Sequence, residues 1–134
     1  MPSLQQRFLD RFRQLELQFA RDEDGSVRLP AKHPAVGDLL VTFDDGEITV
    51  FIGDITHCHF TPGACGNLAS SDPQGEAVAC ATEFIAEVTS DQWVLWSNPA
   101  GVGGSFRRDR PIDTPTPDAS VFVWSGPVTC EGAA

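Results

Sequence analysis

Two histidines flank a cysteine in the segment GDITHCHF, residues 53–60, and these side chains have types and spacing that could perform chemistry. The segment follows an apolar run, so we expect it to be extended, and residues two apart in an extended chain point to the same side. His57 and His59 would then face one side and Cys58 the other. Two imidazoles on one side can bind a zinc-type ion when a third ligand comes from elsewhere. Cys65, six residues beyond His59, is the candidate third ligand, and Asp54, three residues before His57, is the alternative.

The metal interpretation has a simpler alternative, in which the two histidines lie at the end of a strand and bind nothing. The H-x-H pattern occurs by chance, no second pair of ligands follows it, and the only other histidine is His33. The Gly-rich run at 101–104 lacks the lysine of a phosphate-binding loop. The acidic residues also show no distinctive paired spacing. The sequence therefore predicts no catalytic residue and no cofactor, with the zinc-type ion kept as the alternative.

Acidic residues are concentrated in the middle of the chain. The net charge is −10, and residues 36–106 contain ten acidic residues and no Lys or Arg. Such a segment repels phosphate backbones and anionic membrane surfaces, so neither nucleic acid nor a membrane is a predicted partner. It attracts a cationic protein. The predicted binding residues are the acids of the segment 38–54 and two tryptophans, namely Asp38, Asp44, Asp45, Glu47, Asp54, Trp93 and Trp96. The alternative is that the acidity only keeps the protein soluble.

The first predicted element is an amphipathic helix at about 3–21. Ser3 and Gln6 match a capping box, and apolar residues then recur at spacings of three and four. The members of this apolar stripe are Leu4, Phe8, Phe12, Leu15 and Phe19. We expect the stripe to pack on a sheet. The alternative is that Phe8, Phe12 and Phe19 meet a second copy of the chain, which would give a homodimer instead of a monomer.

The rest of the chain predicts a hairpin, a second helix and further strands. Asp45-Gly46 between two apolar runs indicates a hairpin at about 38–57, with Gly53 as the site of a bulge. A loop at 61–75 leads into a helix at about 73–89, for which Asp72 is the N-cap and Pro73 the first residue. The C-terminal strands are expected within about 92–125, between segments rich in glycine and proline.

These elements indicate one α+β domain over residues 1–134, since 134 residues are typical of a single domain. The predicted fold is a single, mainly antiparallel sheet of four to six strands, with the N-terminal amphipathic helix and the central helix packed on it. The N-terminus lacks the apolar run of a signal peptide, and the four cysteines contain no C-x-x-C pair, so we expect a cytoplasmic protein with reduced thiols.

Three functional hypotheses follow from the sequence. The first is a small acidic, non-catalytic binding protein of the inhibitor or immunity type that captures a basic protein partner. The second is a metal-binding enzyme or sensor centred on His57 and His59. The third is a structural module that forms homodimers through its N-terminal helix.

Overall fold

Two helices and two antiparallel sheets make up the protein in a computed structural model that describes residues 3–62, 71–109 and 117–128. The helices are α1 (Leu4–Phe12), continued by a 3-10 turn (Arg13–Leu15), and α2 (Pro73–Thr89). The first sheet has the order β1 (Ala20–Arg21), β2 (Val27–Leu29), β3 (Leu39–Asp44), β4 (Glu47–Ile52), β5 (Thr56–Phe60). The second sheet contains β6 (Trp93–Ser97), β7 (Gly103–Arg107), β8 (Ser120–Val123) and β9 (Gly126–Pro127), in the order β7-β6-β8-β9.

This architecture confirms the α+β class and the antiparallel sheet, which has five strands. It also confirms the N-terminal and central helices. The predicted C-terminal strands do not join that sheet, because β6, β7 and β8 pair with one another and with β9 to form the second sheet. The predicted loop at 61–75 is described only in part, since residues 63–70 lie outside the described ranges and the last three residues of the loop belong to α2.

Helix α1 is shorter than the predicted helix at 3–21. It begins as expected, with the Ser3 hydroxyl accepting a hydrogen bond from the Gln6 amide at 3.1 Å. It ends at Phe12, and after the 3-10 turn Glu16 adopts a left-handed conformation with φ 58° that stops the helix. The chain then returns so that the Phe19 ring meets the Phe12 ring edge-on at 5.2 Å.

The phenylalanine stripe is nevertheless buried within the chain itself. Phe8 and Phe12 are fully buried and stack with ring centroids 5.2 Å apart, and Phe19 packs against the same core. Burying a phenylalanine side chain contributes about 1.5–3 kcal/mol of stability. Phe8 and Phe12 are therefore covered by the chain itself, without a second copy.

Helix α2 has the predicted bounds. The Asp72 carboxylate caps it by accepting from the Gly75 amide at 3.2 Å, and Pro73 is its first residue. Arg7 of α1 also donates to both oxygens of Asp72, which ties the start of α2 to α1. Neither helix, and no other helix in the described ranges, is long and apolar enough to cross a membrane.

The predicted hairpin contains three strands instead of two. Asp45 (φ 51°) and Gly46 (φ 76°) form the expected two-residue turn between β3 and β4. The second arm of the predicted hairpin is broken at Gly53, whose φ of 51° places it in a turn and not in a bulge. A side chain at Gly53 would collide with the Val36 carbonyl oxygen, so the close approach of two backbone segments requires glycine there.

The two faces of the first sheet differ in cover and in chemistry. Its inner face contributes Val41, Ile48, Val50 and Ile52 to the core, all fully buried together with Ile85 of α2. Its other face, here called the outer face, carries the alternate residues Arg28, Leu40, Thr42, Thr49, Phe51, His57 and His59. The helices pack on the inner face, so the outer face is left to solvent and to the end of the second sheet.

Candidate functional site: the outer face of the first sheet

The two histidines lie side by side on the outer face. In the β4–β5 register His57 is opposite Phe51 and His59 is opposite Thr49. The two imidazole rings are perpendicular with centroids 4.9 Å apart, and the Phe51 ring lies 5.4 Å from that of His57. Both histidines are exposed. Strand geometry thus places a continuous row of three rings along β4 and β5.

His59 is held in place by residues of β4. Its Nδ1 atom lies 2.5 Å from Glu47 Oε1 and 3.1 Å from Thr49 Oγ1. A carboxylate that accepts from one ring nitrogen fixes the orientation of an imidazole. The remaining nitrogen of His59 therefore has a defined direction.

The third predicted metal ligand lies outside the described residues. Cys65 falls in 63–70, and within the ranges that the structure describes no group of three His, Cys, Asp or Glu side chains could hold a metal ion. Cys58, between the two histidines, pairs with Val50 on the inner face. Burial raises the pKa of its thiol, which also makes a hydrogen bond with Ser105.

Three of the predicted acidic residues meet at the tip of the β3–β4 hairpin. Asp44 and Glu47 are opposite each other in the register, and Asp45 lies in the turn between them. Asp44 and Asp45 are exposed and form no ion pair with a described residue, whereas Glu47 contacts His59. The hairpin tip therefore carries two carboxylates whose charge no described residue neutralises.

The other two predicted acids lie at the opposite end of the hairpin, about 20 Å away at about 3.4 Å per residue. Asp38 has a structural role, because its Oδ1 accepts from the Ala31 amide at 2.8 Å and its Oδ2 lies 3.7 Å from an Arg28 nitrogen. Asp54 is exposed in the β4–β5 turn and forms no ion pair with a described residue. The five acids thus form two separate groups and not one patch.

The predicted tryptophans belong to the second sheet and contact other parts of the chain. Trp93 meets the Phe84 ring edge-on at 4.9 Å and donates from Nε1 to Glu87 at 3.1 Å. The Trp96 indole lies against Gly104, where a Cβ would be 2.8 Å from the indole nitrogen. Both rings are half-buried, and neither extends the outer face.

A cleft that the sequence does not reveal opens beside Asp54. Two adjoining cavities of about 640 and 330 Å³ share Phe51 and Asp54 in their walls. The larger cavity reaches Arg28 and Phe122, and the smaller reaches His57. We call this region, lined by Arg28, Phe51, Asp54, His57 and Phe122, the cleft. Its residues come from β2, β4, β5, β8 and one turn, so no local spacing predicts it, and the only signal is a phenylalanine on the polar side of β4.

The positive charge in the cleft is neutralised. The Arg28 guanidinium lies 3.0 Å from an Asp22 oxygen and 3.7 Å from an Asp38 oxygen. The hydrogen bond that Arg28 donates to Asp22 is the main reason that the pKa of Arg28 is raised above its ordinary value. Asp54 is then the carboxylate of the cleft that no described cation balances.

No protein-family model, curated protein or solved structure matches this chain. The fold and the site define only a class, which is an α+β domain whose helices cover one face of an antiparallel sheet. The other face is open, carries a row of aromatic and imidazole rings, and has at both ends carboxylates that no described cation neutralises.

Proposed function

We propose that this protein is a small acidic, non-catalytic binding protein of the inhibitor or immunity type, which captures a basic protein partner on its outer face in the cytoplasm. The observation that supports it is the position of the carboxylates that no cation in the described ranges neutralises. Asp44, Asp45 and Asp54 are exposed, bracket the outer face, and pair with no described cation.

The ion pairs of the chain strengthen this interpretation, because they lie elsewhere or neutralise other acids. Arg7 pairs with Asp72 between the helices, and Arg107 pairs with Glu87 at 2.6 Å beside the second sheet. Each of these acids is therefore balanced locally. An approaching cation is steered toward the charge that remains, since long-range attraction follows the net local field.

The side chains between the acidic ends suit a protein partner. Thr42 supplies a hydroxyl, and His57 and His59 supply ring nitrogens and partly apolar faces. Interface centres are enriched in aromatic residues and surrounded by polar ones. The outer face has this arrangement, with rings along β4 and β5 and carboxylates at the ends of the strands.

A capture experiment with two charge-matched variants tests the proposal. The outer-face variant carries Asp44→Asn, Asp45→Asn and Asp54→Asn. The control variant carries Glu23→Gln, Glu83→Gln and Asp118→Asn, which also remove three exposed acids but lie neither at the hairpin tip nor in the lining of the cleft. Each immobilised protein is incubated with lysate of the source cell, and the retained proteins are identified by mass spectrometry.

The wild type and the control variant should retain the same basic protein, and the outer-face variant should lose it. Equal retention by the two variants contradicts the proposal, because binding would then follow total charge or another surface. Retention of a neutral or acidic protein, or of no protein, contradicts it as well.

The histidine pair supports a second candidate function, metal binding for an enzyme or sensor. The observation in its favour is that Glu47 orients His59 while His57 lies in ring contact on the same face. A carboxylate behind a histidine is typical of metal sites. Native mass spectrometry of protein purified without chelator should show a stoichiometric zinc-type ion that is lost in His57→Ala/His59→Ala. A mass without metal contradicts this candidate.

A further inference from the structure

We propose that the cleft receives a guanidinium group, presented as an arginine side chain by the basic partner, with Asp54 as its anionic contact and Phe51 as a surface on which it stacks. This inference rests on the proposed function and specifies which side chain of the partner is bound. Three features of the cleft support it: its size and shape, its charge and its aromatic walls.

The cleft has the size of a site for a side chain and part of its backbone. Its two cavities, of about 640 and 330 Å³, meet along Phe51 and Asp54. Small-molecule sites in proteins occupy about 300–1,000 Å³. The smaller cavity alone is large enough for one guanidinium group and its methylene stem.

Hydrogen-bonded turns form part of the wall, so the cleft exists before a ligand arrives. The Gly53 amide donates to the Asp38 carbonyl at 2.9 Å, and the Val36 amide donates to the His33 carbonyl at 3.1 Å. Gly37 and Gly53 approach each other so closely that a Cβ at Gly37 would be 3.0 Å from the Gly53 Cα. A site that is already ordered loses less conformational entropy on binding.

The charge of the cleft selects a cation. Arg28 is balanced by Asp22 and Asp38, so it does not offer a free positive charge to an anion. Asp54 borders both cavities and is exposed without an ion pair to a described residue. The charge that remains is negative, and a cation that enters next to Asp54 complements it.

The aromatic walls favour a guanidinium group over an ammonium group. Phe51 lies in the wall of both cavities and Phe122 in that of the larger one. A guanidinium group is planar and weakly hydrated, stacks on aromatic faces and binds a carboxylate with two parallel hydrogen bonds. A lysine ammonium group is strongly hydrated and gains less from such a surface. The geometry therefore points to arginine.

Titration of the whole ¹⁵N-labelled protein with three short capped peptides tests the inference by NMR. The peptides are identical except for one residue, which is arginine, lysine or citrulline, the last being a neutral analogue of arginine with nearly the same shape. The arginine peptide should shift the amide signals of Gly53, Asp54 and Ile55 and bind about tenfold more tightly than the citrulline peptide, because the charged hydrogen bond is lost in the latter.

Two variants and a control locate the site. Asp54→Asn should weaken binding of the arginine peptide about tenfold and leave binding of the citrulline peptide unchanged. Glu83→Gln, which changes an exposed acid on α2, should leave binding of both peptides unchanged. Phe51→Leu should weaken binding of the arginine peptide more than binding of the lysine peptide. Equal binding of arginine and citrulline, equal effects of Asp54→Asn and Glu83→Gln, or equal binding of arginine and lysine overturns the assignment.

This test can fail without the proposed function failing. The capture experiment depends also on Asp44 and Asp45 at the hairpin tip, which lie about 20 Å from Asp54. If Asp54→Asn alone leaves the peptides unaffected while Asp44→Asn/Asp45→Asn abolishes capture, the partner binds the outer face without an arginine in the cleft.

Discussion

Individual carboxylates in this protein have two distinct roles. Asp72 and Asp91 are bonded to groups of distant segments and hold the fold together: Asp72 binds Arg7, and Asp91 binds Ser125. Asp45 and Asp54 contact no described cation and are free to bind a partner. The sequence does not separate the two roles here, because Arg7 lies 65 residues from Asp72 and Ser125 lies 34 residues from Asp91.

Asp72 should make stability depend on acid pH. Hydrogen bonds from Arg7 and from the Gly75 amide hold the pKa of Asp72 below its ordinary value. Because this pKa is lower in the folded state, the contribution is complete above the unfolded value of about 3.9 and is lost as the pH falls through the folded one. Urea midpoints of the wild type should drop on acidification below about pH 4, and those of Asp72→Asn should drop less steeply.

Asp118→Asn serves as the control for this measurement, since it removes an exposed aspartate far along the chain from Arg7. Its urea midpoints should follow the wild-type pH dependence. If the urea midpoint of Asp72→Asn fell with pH as steeply as that of the wild type, the Arg7–Asp72 pair would not contribute to the pH dependence of folding.

Replacement of Asp91 with alanine should lower the free energy of unfolding. It has a φ of 63°, and its carboxylate accepts from the Ser125 amide at 3.0 Å and from the Ser125 hydroxyl at 2.5 Å. Asp91→Ala loses both bonds and places alanine in the left-handed region, so we expect a loss of about 2–4 kcal/mol in urea unfolding. Asp91→Asn tolerates that backbone and keeps an acceptor, and should lose about 1 kcal/mol. Equal losses of stability in Asp91→Ala and Asp91→Asn would contradict this role of the Asp91 carboxylate and backbone.

At the scale of elements, capping and turn residues predicted where helices begin and where the β3–β4 turn lies. The pairing of distant strands was not predictable. Asp72 and Pro73 predicted the start of α2 correctly, because an N-cap residue and a first-turn proline interact only with residues close to them in the sequence. The apolar spacing of the N-terminal segment continues past Phe12, yet the helix stops there, since Phe19 reaches the same core from a non-helical segment. The split of the strands into two sheets depends on contacts between distant segments, which periodicity does not encode.

Gly46 and Gly53, in the turns at the two ends of β4, should differ in their tolerance of alanine. A Cβ at Gly46 has no heavy atom within 4 Å, so Gly46→Ala should cost only the backbone strain of its φ of 76°, about 1 kcal/mol. At Gly53 a Cβ would also collide with the Val36 carbonyl, so Gly53→Ala should cost at least about 2 kcal/mol more. Thermal unfolding of both variants measures the difference, and equal midpoints would contradict the close approach of the two backbone segments.

At the scale of the whole molecule, the sequence indicated an acidic surface but not where its free charge lies. In the sequence the ten acids of 36–106 form one continuous acidic segment. In the fold, arginines from outside that segment neutralise some of them, as Arg7 does for Asp72 and Arg107 for Glu87. Strand alternation placed His57 and His59 on one face, as their spacing predicted. The cleft was not predicted because its walls come from both sheets.

The outer-face variant should be as stable as the wild type. Asp44, Asp45 and Asp54 are exposed and make no ion pair with a described residue, and asparagine tolerates the positive φ of Asp45. We expect the free energy of unfolding to change by less than about 0.5 kcal/mol. Urea titrations of the wild type, the outer-face variant and the control variant check this. A loss of several kcal/mol in the outer-face variant would give these acids a structural role and contradict our division of the carboxylates.

The most direct test of the account is the dissociation constant of the captured basic partner for the wild type, the outer-face variant and the control variant, measured by calorimetry at low and at high salt. We predict binding at least about tenfold weaker in the outer-face variant, equivalent to about 1.4 kcal/mol, with a shallower dependence on salt. The control variant should bind within about threefold of the wild type. Equal weakening of the two variants would contradict the claim that the unneutralised carboxylates of the outer face form the binding surface.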